Sequence, residues 1–306
     1  MEAVFEGFAT IGIVIGLGVL LAQLGIVDAA GQHTLSMLAF YVCSPALLLT
    51  VLQHSSLRAL FSDNLIASAG GVLVVSTASV AMSLARRRGL GETVIGALTA
   101  CYCNAANLGL PIAAYVLGDA ALVAPTMLLQ LIVLQPLALA LLDSVVTQRR
   151  LTALDLLARP LRNPITIGSL VGLVLAATQA TPPHWIEDPL TLIGDMSVPA
   201  MLLAYGVSLR LGPLPGRGVP ATELGWHVGL KMVAQPLAAY LIGRFLLDLG
   251  PHALLAVTVI SALPTAQNVF VIASRYRQAT LLARDGIFVS TIASVPVVLA
   301  ISALLT

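Results

Sequence analysis

Ten apolar stretches, each close to the length of a membrane-spanning helix, occupy most of this 306-residue sequence. A helix that crosses the hydrocarbon core of a bilayer needs about 20 predominantly apolar residues. The connections are short and rich in Gly, Pro, Arg and Asp, so the sequence predicts an all-α membrane protein with ten transmembrane helices. The stretches, numbered here as segments 1 to 10, cover residues 5–27, 33–53, 64–85, 92–117, 121–143, 163–181, 188–209, 222–247, 252–274 and 280–304.

The low content of charged residues supports the same class. Only 9% of the residues are charged and 58% are hydrophobic, whereas a soluble domain has about 25% charged residues. The lipid bilayer is therefore the expected surrounding, and the net charge of +1 predicts no general attraction to nucleic acid. The first apolar stretch has no basic region before it and is too long for a signal peptide, so we expect a transmembrane helix there.

The distribution of arginine predicts the orientation of the chain. Twelve arginines follow segments 3, 5, 7 and 9, whereas the opposite side has only Arg58 and Arg244. Because cytoplasmic loops carry the excess of Lys and Arg, the arginine-rich loops are expected in the cytoplasm and both termini outside.

Two halves of the chain, residues 1–150 and 151–306, share a weak internal repeat. Segment 2 contains SPALLL and ends in SSLR, and segment 7 contains VPAMLL and ends in VSLR. Segments 4 and 9 each carry a proline among polar residues, in NLGLP and ALPTAQN. Since each half has five segments, an odd number, the second half must insert upside down. Inverted repeats with interrupted helices are typical of transporters.

The prolines of segments 4 and 9 predict two broken helices. A proline removes a backbone donor, and in lipid such a break is tolerated only against protein or a watery cavity. Pro111 and Pro264 are expected to begin the second halves of these helices, because proline suits the first helical position. The alternative is a pair of kinks stabilised by neighbouring helices. The candidate substrate-binding residues are Asn104, Asn107, Pro111, Pro264, Thr265, Gln267 and Asn268.

Three ionisable residues are candidates for coupling or charge balance. Lys231, the only lysine, lies about ten residues into segment 8; it could balance a substrate carboxylate, pair with a buried acid or extend to the cytoplasmic interface. His227, one turn earlier, is either a proton carrier or structural, and Asp195 either takes part in the site or faces the outer interface.

Further polar residues of segments 5 and 10 could line a cavity or join helices through hydrogen bonds: Gln130 and Gln135 of segment 5, and Ser290, Thr291 and Ser294 of segment 10. The three cysteines lie in apolar runs without the spacing of metal ligands, and no catalytic motif is present, so neither a metal site nor an enzyme is predicted. A channel is less favoured than a carrier, because the polar residues concentrate at two points.

The motifs resemble the auxin efflux carrier family, which includes bacterial members. The resemblance depends on NLGLP followed by Gly118-Asp119, on Arg162-Asn163-Pro164, on VPAMLLAYGVSL and on ALPTAQNVFVIASRY. It implies two inverted five-helix repeats, with crossed discontinuous helices in segments 4 and 9 at the substrate site. Segments 1, 2, 6 and 7 would form a scaffold, and segments 3–5 and 8–10 a transport unit.

The resemblance also implies a function. We expect a secondary active transporter of small organic anions, such as malonate, malate or auxin-like acids, in the inner membrane of a bacterium. It would be a homodimer joined through the scaffold and need no cofactor, with a proton or sodium as a possible coupling ion. Bile-acid/sodium symporters share this architecture and are the alternative. Segment 3 lacks the charged residues of the plant members, and the long plant loop is absent.

Overall fold

Helices make up the regular structure of the chain in the computed structural model, which describes residues 2–54, 63–109, 112–113, 117–147 and 164–305. The helices of the first five segments are Glu2–Gln23, Ala29–Gln53, Asp63–Ala85, Leu90–Cys101, a turn Ala105–Gly109, and the run Ala120–Val123, Ala124–Leu128, Leu129–Leu134 and Gln135–Thr147. Those of the last five are Pro164–Thr178, His184–Asp195, Ser197–Leu211, the run Ala221–Gly229, Leu230–Ala234, Gln235–Leu241 and Ile242–Leu246, then Pro251–Ser261, Gln267–Tyr276 and Thr280–Leu305. The all-helical class is confirmed for these residues, and the ten-span inverted arrangement remains a prediction.

Five of the helices are long and apolar enough to cross a membrane: Ala29–Gln53, Asp63–Ala85, Ala124–Val146, His184–Leu211 and Thr280–Leu305. Shorter apolar helices lie in segments 1, 4, 6 and 9. Large apolar side chains also cover the outside of the molecule; Leu73 is 67% exposed and Phe245 is 77% exposed. Such side chains are stable in contact with lipid tails, so the structure is that of a multi-pass integral membrane protein.

Three segments widen into a π-helical turn immediately before a proline. The turns Ala39–Cys43, Leu129–Leu134 and Leu230–Ala234 precede Pro45, Pro136 and Pro236, respectively. A proline inside a helix lacks the N–H group and its ring clashes with the carbonyl of the preceding turn. A wider turn accommodates the ring without ending the helix.

Glycines allow close packing between segments 1 and 7 and between segments 2 and 6. A Cβ atom added to Gly18 would lie 2.5 Å from the carbonyl oxygen of Leu203, and one added to Gly206 would overlap the carbonyl oxygen of Ile15. Gly172 faces the carbonyl of Leu49 in the same way. Small residues at a helix interface let the backbones approach within van der Waals contact, which drives helix association in lipid.

Candidate functional site

Segments 4 and 9 are both interrupted, as the sequence predicted. The helix of segment 4 ends at Cys101, Tyr102 has an extended backbone, and a helical turn follows at Ala105–Gly109. The helix of segment 9 ends at Ser261, and the next helix begins at Gln267 after an extended Ala266. Residues 102–104 and 262–266 are called the paired break below.

The two interruptions pair with each other through their backbones. Cys103 and Thr265 form an antiparallel bridge, in which the N–H of Asn104 donates to the carbonyl of Pro264 at 2.8 Å and the N–H of Ala266 donates to the carbonyl of Tyr102 at 3.1 Å. Each break thereby satisfies backbone groups that the other has released, which is necessary where water is scarce.

A backbone carbonyl of segment 4 and a side chain of segment 10 also hold the paired break in place. The hydroxyl of Thr265 donates to the carbonyl of Thr99 at 2.7 Å, and its N–H donates to Oγ of Ser290 at 3.1 Å. These bonds give Thr265 and Ser290 a direct part in stabilising the extended backbone.

A cavity of about 270 Å³ lies beside the paired break. Segments 2, 6 and 7 form one side of it and segments 4, 5 and 9 the other. Most of its wall is apolar, including Phe40, Leu48 and Met201. Its polar side chains are Ser44, Tyr102, Asn104, Gln130, Gln135, Ser197, Gln267 and Asn268, and none of the lining side chains in the described part of the chain is charged.

Several of the cavity amides retain hydrogen-bonding capacity. Nδ2 of Asn104 donates to Oε1 of Gln267 at 2.9 Å, which joins the two breaks through side chains as well. Nε2 of Gln267, Oδ1 of Asn268 and Oε1 of Gln130 are buried without a hydrogen-bond partner in the described structure. Buried polar atoms normally have partners, and an unpartnered one beside a cavity indicates a position for a ligand or water.

The amino-acid sequence is similar to those of known membrane transport proteins. The model of a family described as "Membrane transport protein" matches residues 3–148 and 141–302. The chain belongs to this auxin efflux carrier-like family. A protein of Rhizobium meliloti (strain 1021), described as "Putative malonate transporter", is 28% identical over 295 residues, which cover 92% of this chain and 89% of the relative.

The structure places the predicted site residues of this family member in different positions. Asn104, Gln267 and Asn268 line the cavity, whereas Thr265 lies in the bridge behind it. Pro264 was predicted to begin a helix, but the helix starts three residues later, at Gln267. The carbonyl of Pro264 instead accepts from the N–H of Asn104 in the paired break. Asn107 belongs to the turn Ala105–Gly109, but its side chain and the whole of Pro111 lie outside the described residues.

Lys231 lies behind the paired break and not among the cavity-lining residues. Its side chain is 0% exposed, so it does not extend to an interface. Nζ donates to Oε1 of Gln235 at 2.6 Å, to the carbonyl of Ser261 at 2.9 Å and to Sγ of Cys103 at 3.1 Å. In the described structure its partners include no carboxylate, so the expectation of a buried acid pair is not met.

The other two ionisable candidates are also away from the cavity lining. Nδ1 of His227 lies 2.8 Å from the carbonyl of Glu223, and its buried Nε2 faces Gly96 of segment 4 without a partner in the described residues. Asp195 is exposed at the end of the helix His184–Asp195.

The remaining polar candidates divide into two groups. Gln130 and Gln135 line the cavity as the sequence suggested. The hydroxyls of Thr291 and Ser294 bond to carbonyls of their own helix, and Ser290 serves the paired break.

Sequence reasoning missed Gln235 and Tyr102. Nε2 of Gln235 donates to the carbonyl of Cys101 at 3.1 Å, and the hydroxyl of Tyr102 donates to Oε1 of Gln135 at 2.6 Å. A signal was present, since both glutamines stand immediately before a proline, in LQPLALA and AQPLAAY. Gln235 thus contacts the backbone at the end of the segment 4 helix, whereas Gln135 contacts the side chains of Tyr102 and Asn268.

Proposed function

We propose that the protein is a secondary active transporter of small organic anions, which bind in the cavity beside the paired break. The observation that carries the proposal is the pairing of two broken helices, one from each half of the chain, next to amides with unused hydrogen-bonding capacity. Gln267 and Asn268 are also the first residues of a helix. The N–H groups and the positive dipole end of a helix N-terminus favour an anion there.

The lining of the cavity favours a substrate with one ionised carboxylate and an apolar remainder. A second carboxylate would meet the apolar wall without a cationic partner among the lining residues, and an unpaired buried charge is costly. A dicarboxylate would therefore have to bind with its second carboxyl group protonated or in contact with water. Malonate is the first ligand to test, because the Rhizobium meliloti relative carries that description.

Transport would occur by alternating access. The cavity lies between segments 2, 6 and 7 and segments 4, 5 and 9, so sliding of a transport unit formed by segments 3–5 and 8–10 would open it to either side in turn. The hydroxyls of Ser44 and Ser197 lie 3.0 Å apart where the related motifs of segments 2 and 7 meet, which supports an inverted pseudo-symmetry. We further propose an inner-membrane homodimer joined by segments 1, 2, 6 and 7.

Two measurements test this proposal. The purified protein should unfold at a higher temperature with a carboxylate that it binds, because a ligand of the folded state stabilises it by mass action. Malonate, malate, propionate and indole-3-acetate should be compared at equal ionic strength. The same protein in proteoliposomes should then show counterflow, in which internal unlabelled substrate accelerates uptake of labelled substrate. Absence of any carboxylate-dependent shift, or flux without exchange acceleration as in a channel, would contradict the proposal.

A further inference from the structure

The carbonyl groups at the ends of the two interrupted helices converge on one side of the paired break. Cys101 and Ser261 are the last residues of the helices Leu90–Cys101 and Pro251–Ser261. The carbonyl of Cys101 accepts from Nε2 of Gln235, and the carbonyl of Ser261 accepts from Nζ of Lys231. The negative ends of two helix dipoles thus lie against neighbouring residues of segment 8.

Such a position attracts a cation. In transporters with discontinuous helices, unwound carbonyls and the C-terminal ends of half-helices coordinate sodium ions. Here the three acceptors around Nζ of Lys231 lie 2.6, 2.9 and 3.1 Å from it. An ammonium group has three donors and no acceptor, so these three contacts use its full capacity.

In the described part of the chain, Lys231 has no carboxylate partner that would balance its charge. Its neighbours are Cys103 and Cys101 of segment 4, Gln235 of its own segment, and the end of the segment 9 helix. Within the described residues, the acceptors of Nζ are a carbonyl, an amide oxygen and a sulfur atom. The positive charge is therefore balanced by dipoles, as for a bound metal cation.

We propose that Lys231 is a tethered cation that replaces a diffusible monovalent cation at the paired break, so that binding of an organic anion needs neither sodium nor potassium. The part of this proposal that concerns anion binding depends on the proposed function. The cation role of Lys231 does not depend on it, because the stability of the protein can be measured without any carboxylate. Segment 8 thereby carries, as part of the chain, the positive charge that neutralises two helix ends.

The test replaces the tethered cation by a free one. Lys231→Ala removes the ammonium and most of the side chain, which leaves a space bordered by the same acceptors. We expect a melting temperature lower by several degrees, and a saturable recovery with ethylammonium chloride or sodium chloride relative to choline chloride at equal ionic strength. The melting temperature of the unsubstituted protein should be the same in sodium and choline chloride.

Two further variants separate charge from packing. Lys231→Met fills the space without a charge, so it should be destabilised and should not recover with ethylammonium. Arg244→Ala removes an exposed cation of the same segment, which pairs with Asp248 at 3.3 Å, and it should not respond to ethylammonium either. Saturable stabilisation of the unsubstituted protein by sodium, full stability of Lys231→Met, or failure of both cations to restore Lys231→Ala would overturn the proposal.

The carboxylate measurement then tests the link to function. Malonate should raise the melting temperature of the unsubstituted protein equally in sodium and in choline chloride. A malonate effect that requires sodium would overturn the tethered cation, whereas no effect of any carboxylate in either salt would contradict the proposed function and leave the ethylammonium result standing. If Lys231→Ala does not fold, the sodium and choline comparison and Lys231→Met still decide the matter.

Discussion

At the scale of single residues, Gln267 is the amide best placed to bind a ligand. It is buried at the first position of a helix, its Oε1 accepts from Asn104 at 2.9 Å, and its Nε2 has no partner in the described structure. Asn268 follows it, with a weak 3.5 Å contact to Gln135 and an unpartnered Oδ1. Both side chains therefore offer hydrogen bonds that a carboxylate could use.

We expect Gln267→Met and Asn268→Ala each to weaken carboxylate binding about tenfold to a hundredfold, because loss of a hydrogen bond at a desolvated site costs about 1–3 kcal/mol. Ligand-dependent thermal shift, with transport in proteoliposomes, measures this. Gln23→Ala, an exposed glutamine at the end of segment 1, is the control and should bind normally. Unchanged affinity in both cavity variants would show that these amides serve only the structure.

Asn104 combines a backbone and a side-chain role that substitution can separate. Its N–H donates to the carbonyl of Pro264 whatever the side chain, whereas Nδ2 contacts Gln267. We expect Asn104→Ala to fold and reach the membrane but to bind carboxylates at least tenfold more weakly, since Gln267 loses its orienting partner. Loss of the folded protein, seen as a broad size-exclusion profile, would instead assign Asn104 a structural role.

At the scale of the helices, glycines decide how closely segments 1 and 7 pack. The interface has no space for a side chain at Gly18 or Gly206, whereas Gly16 of segment 1 has no atom within 4 Å of an added Cβ. Gly18 of segment 1 therefore packs against segment 7, whereas Gly16 faces away from the rest of the described protein. The two positions form a matched pair within one helix.

We expect Gly206→Ala and Gly18→Ala to lower the stability by about 1–3 kcal/mol, because an added methyl group against backbone atoms forces the helices apart. Gly16→Ala should be neutral or slightly stabilising, since alanine favours the helix. Thermal unfolding of the purified proteins measures the difference. Equal melting temperatures for the Gly16 and Gly18 variants would mean that segments 1 and 7 are not tightly packed.

At the scale of the whole molecule, the positions of the arginines predict the orientation in the membrane. The helices His184–Asp195 and Ser197–Leu211 follow each other with a turn at Met196 and together form an apolar stretch of 28 residues, which is more than the about 20 residues that a membrane span requires. We therefore expect the loops at its ends to lie on opposite sides of the bilayer. The loop after it contains Arg217 and precedes segment 8, so we place it in the cytoplasm.

A membrane-impermeant maleimide added to intact cells should label Thr181→Cys and not Leu214→Cys, and both should react after permeabilisation. Both positions are exposed in the structure, and the three native cysteines are buried, so the background should be low. Labelling of Leu214→Cys alone in intact cells would invert the orientation, while equal labelling of both would contradict the span between them.

The sequence by itself determined the class of the protein and which two segments are interrupted. Long apolar stretches with few charges specify helices in lipid, because water is absent and each backbone group must bond within its own helix. In segment 9 a proline and polar neighbours mark the break, although the helix resumes at Gln267 and not at Pro264. In segment 4 the break at residues 102–104 comes before Pro111, so no proline lies in it. These features depend on residues close together in the chain.

Only the tertiary structure decided what the breaks do. Cys103 and Thr265 are 162 positions apart, and no local pattern in CYCNAANLGLP or LPTAQN predicts that their backbones pair. From the sequence, Lys231 could contact the substrate, a buried acid or the interface. The wide turn before Pro236 and the packing of segment 8 place it behind the bridge, against the end of the segment 9 helix. Side-chain direction and long-range pairing result from the packing of all the segments together, since each contact there depends on where distant helices lie.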